Sequence, residues 1–323
     1  MTSHCEKNSR GLPGRSAWLS GLMVILADAP ALAQSTPKFE FGKVEEVKVV
    51  EWKAQAKGGL LVTSGNSQTQ AGNLTASVSR KEGNNKLALE AGAAYGRANN
   101  RIAVADMANP ALWDINRQQV TSTNNYYGKG RYDRFFTANN AAYASGQAAA
   151  DKIIGKTFFG GGQIGYSRQL VKDDMNLLVG ELGYDLSYER YVQQTGKTLD
   201  PVTIHSARVF VGETLKLSAA TGVNASVEAL FNLNKEGAAI DVNSQTAGVG
   251  AFKDTRVIGK LGLTTTLLKQ LSIGFGFTLK YDQNPASLPP PAVVPMNTMP
   301  SQPYFFADKV DTQAEVTLIF TFL

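Results

Sequence analysis

The chain has 323 residues, 43% hydrophobic and 18% charged, with a net charge of +5. Its mean hydropathy of -0.16 is too polar for a bundle of membrane helices. The basic residues are dispersed and no Lys/Arg-rich run forms a nucleic-acid surface, so no nucleic-acid partner is expected. The single cysteine, Cys5, excludes an intramolecular disulfide.

Residues 1–33 read as an export signal. Lys7, Arg10 and Arg15 precede a short apolar core, Ala17 to Ala27, and Ala31-Leu32-Ala33 fits a small-x-small cleavage site. The apolar core is about 11 residues long against the roughly 20 that a spanning helix requires, and Asp28 follows it at once. Cys5 lies before this core, where a lipid-anchoring cysteine would follow it. Residues 34–49 then form a periplasmic N-terminal segment ahead of a barrel domain at 50–323.

From residue 50 onward apolar and polar residues alternate in repeated blocks. The predicted strands, in chain order, are 50–63, 69–80, 86–97, 117–132, 137–148, 156–169, 176–191, 203–217, 223–234, 254–267, 271–282 and 309–322. In 176–191, Leu178, Leu182, Tyr184, Leu186 and Tyr188 alternate with Glu181, Asp185, Ser187 and Glu189. In 223–234, Val223, Ala225, Val227, Ala229 and Phe231 alternate with Asn224, Ser226, Glu228 and Asn232. Leu271, Ile273, Phe275, Phe277 and Leu279 form another apolar row, and Ala314, Val316, Leu318, Phe320 and Phe322 form the last. Successive side chains on a strand point to opposite faces, so each block has one greasy and one polar face. The segments 117–132 and 137–148 show the weakest alternation, with Ser122 and Asn124 on the outward row.

The connections alternate too. Short ones fall at 81–85, 133–136, 170–175, 218–222 and 268–270, and long ones at 98–116, 192–202, 235–253 and 283–308. An even strand number with short turns on one side and long loops on the other is the pattern of a bacterial outer-membrane barrel. A soluble sandwich also alternates, but its strands usually run about 5–6 residues. At about 3.3 Å per residue and a tilt near 40°, the roughly 10–12 residues here rise about 25–30 Å, the height of an outer-membrane apolar band. Tyr188, Tyr191, Tyr281, Tyr304, Phe305, Phe306, Phe320 and Phe322 lie near segment ends, where interface girdles are found. The fold class expected is therefore all-β, a closed antiparallel transmembrane β-barrel of about 12 strands, with 309–322 pairing 50–63. Glu213 breaks the apolar row of 203–217; it lies either at the periplasmic rim or beyond a bulge at Gly212.

Several motifs resemble a known family. Glu51-Trp52-Lys53 followed by Thr63-Ser64-Gly65-Asn66-Ser67, then Gly160 to Tyr166 (GGGQIGY) and Gly183 to Tyr191 (GYDLSYERY), are similar to an outer-membrane family of unknown function whose members are called salt-induced outer-membrane proteins. Ser67 replaces the usual Thr, and the Pro-rich stretch 283–303 is an insertion. The resemblance covers 51–323 and implies a barrel without an established active site. The closing Phe322-Leu323 resembles the terminal signal read by barrel-insertion machinery.

Chemistry is sparse. The chain has two histidines, His4 in the export segment and His205, so no multi-His metal site or Cys/His pair is available. An envelope lipid hydrolase would need His205 as base, but Ser206 beside it points to the opposite face. The glycines at 160–162 have no lysine or helix after them and serve close strand packing rather than phosphate. Asp241 and Asp254 lack the spacing of a calcium loop. No cofactor, metal or catalytic residue is expected. The inward row instead collects Glu51, Lys53, Lys57, Glu90, Glu181, Asp185, Glu189, Arg208, Lys216, Glu228, Arg256, Lys260, Lys280, Asp282, Asp311 and Glu315, nearly balanced in sign. Twelve strands give a backbone diameter of about 24 Å and a free bore of roughly 10 Å or less. These charges either line a narrow pore for ions or small solutes, or pair and close the lumen. The partners expected are outer-membrane lipid, the insertion machinery, and a protein at the loops 98–116, 235–253 and 283–308.

Overall fold

The computed structural model describes residues 50–63, 68–105, 113–193, 198–288 and 305–322. The export signal, the 34–49 segment, Tyr304 and most of the Pro-rich stretch lie outside these residues.

Among the described residues sixteen strands follow one another: β1 (Glu51–Thr63), β2 (Gln68–Glu82), β3 (Asn85–Ala105), β4 (Trp113–Phe135), β5 (Asn140–Asp151), β6 (Lys156–Lys172), β7 (Asn176–Tyr191), β8 (Val202–Lys216), β9 (Thr221–Asn232), β10 (Glu236–Ile240), β11 (Ala247–Val249), β12 (Arg256–Leu268), β13 (Leu271–Asp282), β14 (Ser287–Leu288), β15 (Phe305–Phe306) and β16 (Val310–Thr321). Twelve of them close into an antiparallel barrel, β1 to β9 in order and then β12, β13 and β16, with β16 returning to β1. The other four make two small hairpins, β10–β11 and β14–β15, in the long loops. A closed ring has no second sheet to stack on, which removes the sandwich.

The barrel is inverted relative to a soluble core. Leu60 is 83% exposed, Leu182 62% and Ile164 61% on the outer wall, while Asp185 is 1% and Glu181 3% exposed inside. On β7 the two rows separate as the alternation predicts, with Val179, Glu181, Asp185, Ser187 and Glu189 buried and Leu182, Tyr184 and Leu186 exposed. Glu213 stays in phase with the outer row. Its ladders to Leu178 and Ala225 run without a shift, so Gly212 is no bulge and Glu213 sits near the end of β8 at the short-turn rim.

Three expectations are corrected. The loop predicted at 98–116 is mostly strand, because β3 and β4 pair as far as Ala105 and Trp113. The ladder between them shifts at Gly96/Arg97, with Ser122 as the extra residue. That shift ends the two-residue phase while the backbone pairing continues, so the rhythm stops before the strand does. Tyr191, expected at a lipid interface, instead hydrogen-bonds Glu189 through its hydroxyl at 3.1 Å and packs against a buried cluster. The loop 235–253, expected as a long external connection, contains β10–β11, which packs onto Val202 and Ile204 of β8.

The outer rows carry a direct test. In phospholipid vesicles, Leu182→Arg is expected to cost about 2–4 kcal/mol of unfolding free energy, whereas Glu213→Gln should change it by less than about 1 kcal/mol. Equal costs at the two positions would contradict the assignment of depth.

Candidate functional site

The lumen is where the charged residues meet. Glu181 on β7 is the centre of a cluster that spans β4 to β9. Its two carboxylate oxygens accept hydrogen bonds from Arg131 on β4 at 2.6 and 3.1 Å, and one of them also accepts from Arg208 on β8 at 2.8 Å. Arg131 is further held by Asp133 at 2.7 Å, and Arg208 by Glu228 on β9 at 2.5 Å. The side chain of Glu181 is 2% exposed, so these are contacts between desolvated charges, stable only because each has partners. A buried ion left without its partner costs about 3–5 kcal/mol.

Tyr143 on β5 lies between the two guanidinium groups. Its ring centroid is 4.2 Å from the Arg131 guanidinium carbon and 5.5 Å from that of Arg208, and its hydroxyl accepts from Arg208 at 2.8 Å. Both cations therefore meet the ring's negative face. Two glycines make room for this ring. Gly165 and Gly183 pair across β6 and β7, and a Cβ on either would come within 2.7 Å of the Tyr143 hydroxyl. The glycines of the two family-like motifs thus create the floor on which Tyr143 rests.

A second set of contacts lies at the loop end. Glu189 on β7 takes Lys156 of β6 at 2.6 Å and Arg256 of β12 at 3.2 Å. Above it, Val202 and Ile204 of β8 pack on Ala239 and Val249 of the β10–β11 hairpin, with Tyr191 and Ala238 at the edge. Asn232 at the head of β9 holds the hairpin. Its amide donates to Glu236 at 2.9 Å and to the Gly250 carbonyl at 3.0 Å, and its carbonyl oxygen accepts from the Asp254 N–H at 2.9 Å. Asn284 ties the hairpin to the following loop through the Val242 N–H and the Ile240 carbonyl. Burial pushes the Glu236 carboxyl up to about 7, against the pull of Arg256. Burial also raises Asp254, which shares its surroundings with Arg256 and the carboxylates of Asp282, Glu236 and Glu189.

Beside the Glu181 cluster lies a cavity of about 140 Å³, bounded by Lys57, Lys129, Lys260, Glu228, Glu315 and the Arg131–Arg208 pair. The remaining predicted lumen residues fall around it. Asp185 accepts from Gln163 at 2.9 Å and from Ser187 at 2.5 Å. Lys280 faces Asp311 in the β13–β16 ladder, and Asp282 caps the turn at Asn284. Glu90 accepts from the Tyr127 hydroxyl at 2.8 Å. Glu51 and Lys53 pair at 3.1 Å in an exposed position, and Lys216 is exposed at the end of β8.

The sequence reading missed Arg131, Asp133, Lys129 and Tyr143. The charged row 129, 131, 133 is visible at a spacing of two, but the shift at Ser122 obscured its phase, and alanines occupy both faces of β5 around Tyr143. His205 lies on the outer row, where its Nδ1 shares a hydrogen bond with the Tyr184 hydroxyl, while Ser206 is fully buried on the inner row.

No curated protein matches the chain in sequence. Among solved structures it is similar to the translocator domain of the autotransporter NalP from Neisseria meningitidis, at 13% identity and a TM-score of 0.39, covering 84% of this chain and 88% of that one. It is also similar to the outer membrane channel DcaP of Acinetobacter baumannii, at 9% identity and a TM-score of 0.34 over 84% and 97% of the two chains. OmpT, an outer membrane protein of Vibrio cholerae, matches at 9% identity and a TM-score of 0.35 over 84% and 97%. Residues 56–322 match the profile of one sequence family across nearly the whole barrel, and the chain belongs to that family, described as protein of unknown function, DUF481.

Proposed function

We propose that the chain is a non-enzymatic outer-membrane barrel, exported with residues 1–33 as a cleaved signal, whose polar lumen is a narrow path for ions or small solutes held shut at rest. The observation that carries this reading is Glu181 bound at once by Arg131 and Arg208, with Tyr143 clamped between them. These side chains reach inward from strands on one side of the ring and fill it with paired charge. The β10–β11 hairpin adds a second closure, with Val249 fully buried against the inner wall. An open pore would keep its charged side chains in water, where single-sign rings would select ions. In the Glu181 cluster the signs are paired and buried. The exterior supports the membrane: an apolar belt on a closed ring is what hydrocarbon requires, because closure pairs the first strand with the last. The hydrolase alternative has no support in the site, since His205 meets a tyrosine and Ser206 points the other way.

Planar-bilayer recording of the mature protein is expected to show no steady conductance above lipid background at neutral pH. Glu181→Ala should produce discrete openings, while its folded state loses on the order of 3 kcal/mol. Steady current through the unaltered protein would rule out closure at rest, and silence of both proteins would rule out the ion path.

The hairpin gives a pH dependence. The raised carboxyl of Glu236 favours the docked hairpin when protonated, so its contribution is complete below the ordinary carboxylate value and lost as pH climbs through about 7. Raised Asp254 acts in the same direction. Hydrogen-exchange protection of residues 236–249, corrected for intrinsic rates, is expected to fall about tenfold between about pH 6 and about pH 9. Glu236→Gln should remove most of that change; an unchanged profile in the variant would show that Glu236 does not control docking.

A further inference from the structure

The chain leaves β13 at Asp282 and comes back to β16 at Lys309, and the two points are joined by a backbone bond from the Asp282 N–H to the Lys309 carbonyl at 2.8 Å. Beyond that bond the outgoing and returning segments run as a pair. The Ala307 N–H donates to the Ala286 carbonyl at 2.9 Å, and Ser287–Leu288 of β14 pair with Phe306 and Phe305 of β15. Pro285, Ala286 and Ser287 are buried.

The far end of this pair rests on the turn between β5 and β6. A Cβ on Gly155 would come within 2.9 Å of a Leu288 side-chain carbon and 3.0 Å of the Ser287 carbonyl oxygen. Gly155 also has a φ of 80°, so both its conformation and its clearance call for glycine. In the ring, β13 lies five strands from β6 in one direction and β16 five strands from β5 in the other. The β5–β6 turn is therefore diametrically opposite the β13–β16 pair. Six residues from Asp282 to Leu288 reach at most about 20 Å, whereas half the circumference of a twelve-strand ring is about 38 Å. The contact can be made only across the mouth. The near end is fixed as well: Gln283 exchanges bonds with Thr255, donating from its N–H at 3.0 Å and accepting at its Oε1 at 3.1 Å, and Asn284 ties it to the β10–β11 hairpin.

We propose that this two-stranded strap, held at both walls, sets the size limit for entry to the lumen from the loop end. It admits ions and solutes of a few heavy atoms beside it and turns away oligosaccharides and peptides. A strap on the order of 10 Å wide across a ring of about 24 Å leaves less than about 7 Å on either side. The proposal rests on the small-solute reading for the path, but entry at the mouth is independent of conduction.

The test follows labelling of Asp311→Cys, on the inner row at the loop end of β16, in the full chain with Cys5→Ser folded in phosphatidylcholine vesicles. Rates are taken relative to Ser244→Cys at the exposed β10–β11 turn, which corrects for orientation. N-ethylmaleimide should label Asp311→Cys, and a polyethylene-glycol maleimide should not. Replacing 283–308 by Asn-Gly removes the strap and still lets β13 and β16 join through a hairpin turn. The large reagent should then gain at least about tenfold, because the whole bore is open to it. Replacing only 289–304 by Asn-Gly keeps the strap and should leave the large reagent excluded. Gly155→Val, which pushes the strap off its seat, should admit it, and carries the comparison if the shortened chain does not fold. Labelling by the large reagent with the strap intact overturns the proposal, as do exclusion that survives its removal and entry after loss of 289–304 alone. Failure of N-ethylmaleimide also overturns it, since the mouth would then be sealed rather than narrowed. A bis-maleimide bridge within one chain between Lys152→Cys and Leu288→Cys is expected from the crossing, and its absence refutes the strap in any background. Current or silence in planar bilayers bears on the ion path and leaves these rates unaffected, so the two failures are distinguishable.

Discussion

Backbone groups facing hydrocarbon have only each other to bond with, and this constraint governs the whole molecule. It demands a ring, and the ring demands that β16 return to β1. Everything polar then has to lie inside, at a diameter too small for a freely hydrated channel once long side chains project inward. Part of the interior therefore resolves into paired charges around Glu181.

The cluster around Glu181 is a consequence of shape as much as of charge. Two arginines brought near one carboxylate repel one another unless other groups share the load. Asp133, Glu228 and the Tyr143 ring do so here. Tyr143 can take that position only because Gly165 and Gly183 leave the neighbouring wall without side chains. A small-residue pair, an aromatic ring and five charges thus form one unit, drawn from six strands. Loss of Glu181 is more serious than loss of a surface pair, because desolvation has already been incurred by both arginines.

The loop end follows a different logic. Val202 and Ile204 sit on the inner row, where water would otherwise contact them, and the β10–β11 hairpin covers them. Asn232 and Asn284 provide the polar attachments. Its protonation-sensitive carboxyls make this cover the part of the barrel most responsive to pH, whereas the Glu181 cluster is held by permanently charged guanidinium groups.

Much of the fold was legible in residue order, because strand periodicity is local: β7 and β13 occupy the very ranges predicted from alternation alone. The inward row of β7, β8 and β9 followed from the same parity. The phase was lost at Ser122, where one extra residue inverts the faces without altering composition, and in β5, where alanine on both sides carries no phase at all. What residue order could not reveal was which inward charges meet. Arg131 and Glu181 are fifty positions apart, and their contact depends on strand order, shear and the space above two glycines. The sequence by itself determined an all-β ring and a polar interior, since each depends on neighbouring residues. Only the tertiary structure decided which inward charges pair around Glu181 and that one long loop packs onto β8, since those depend on distances across the ring.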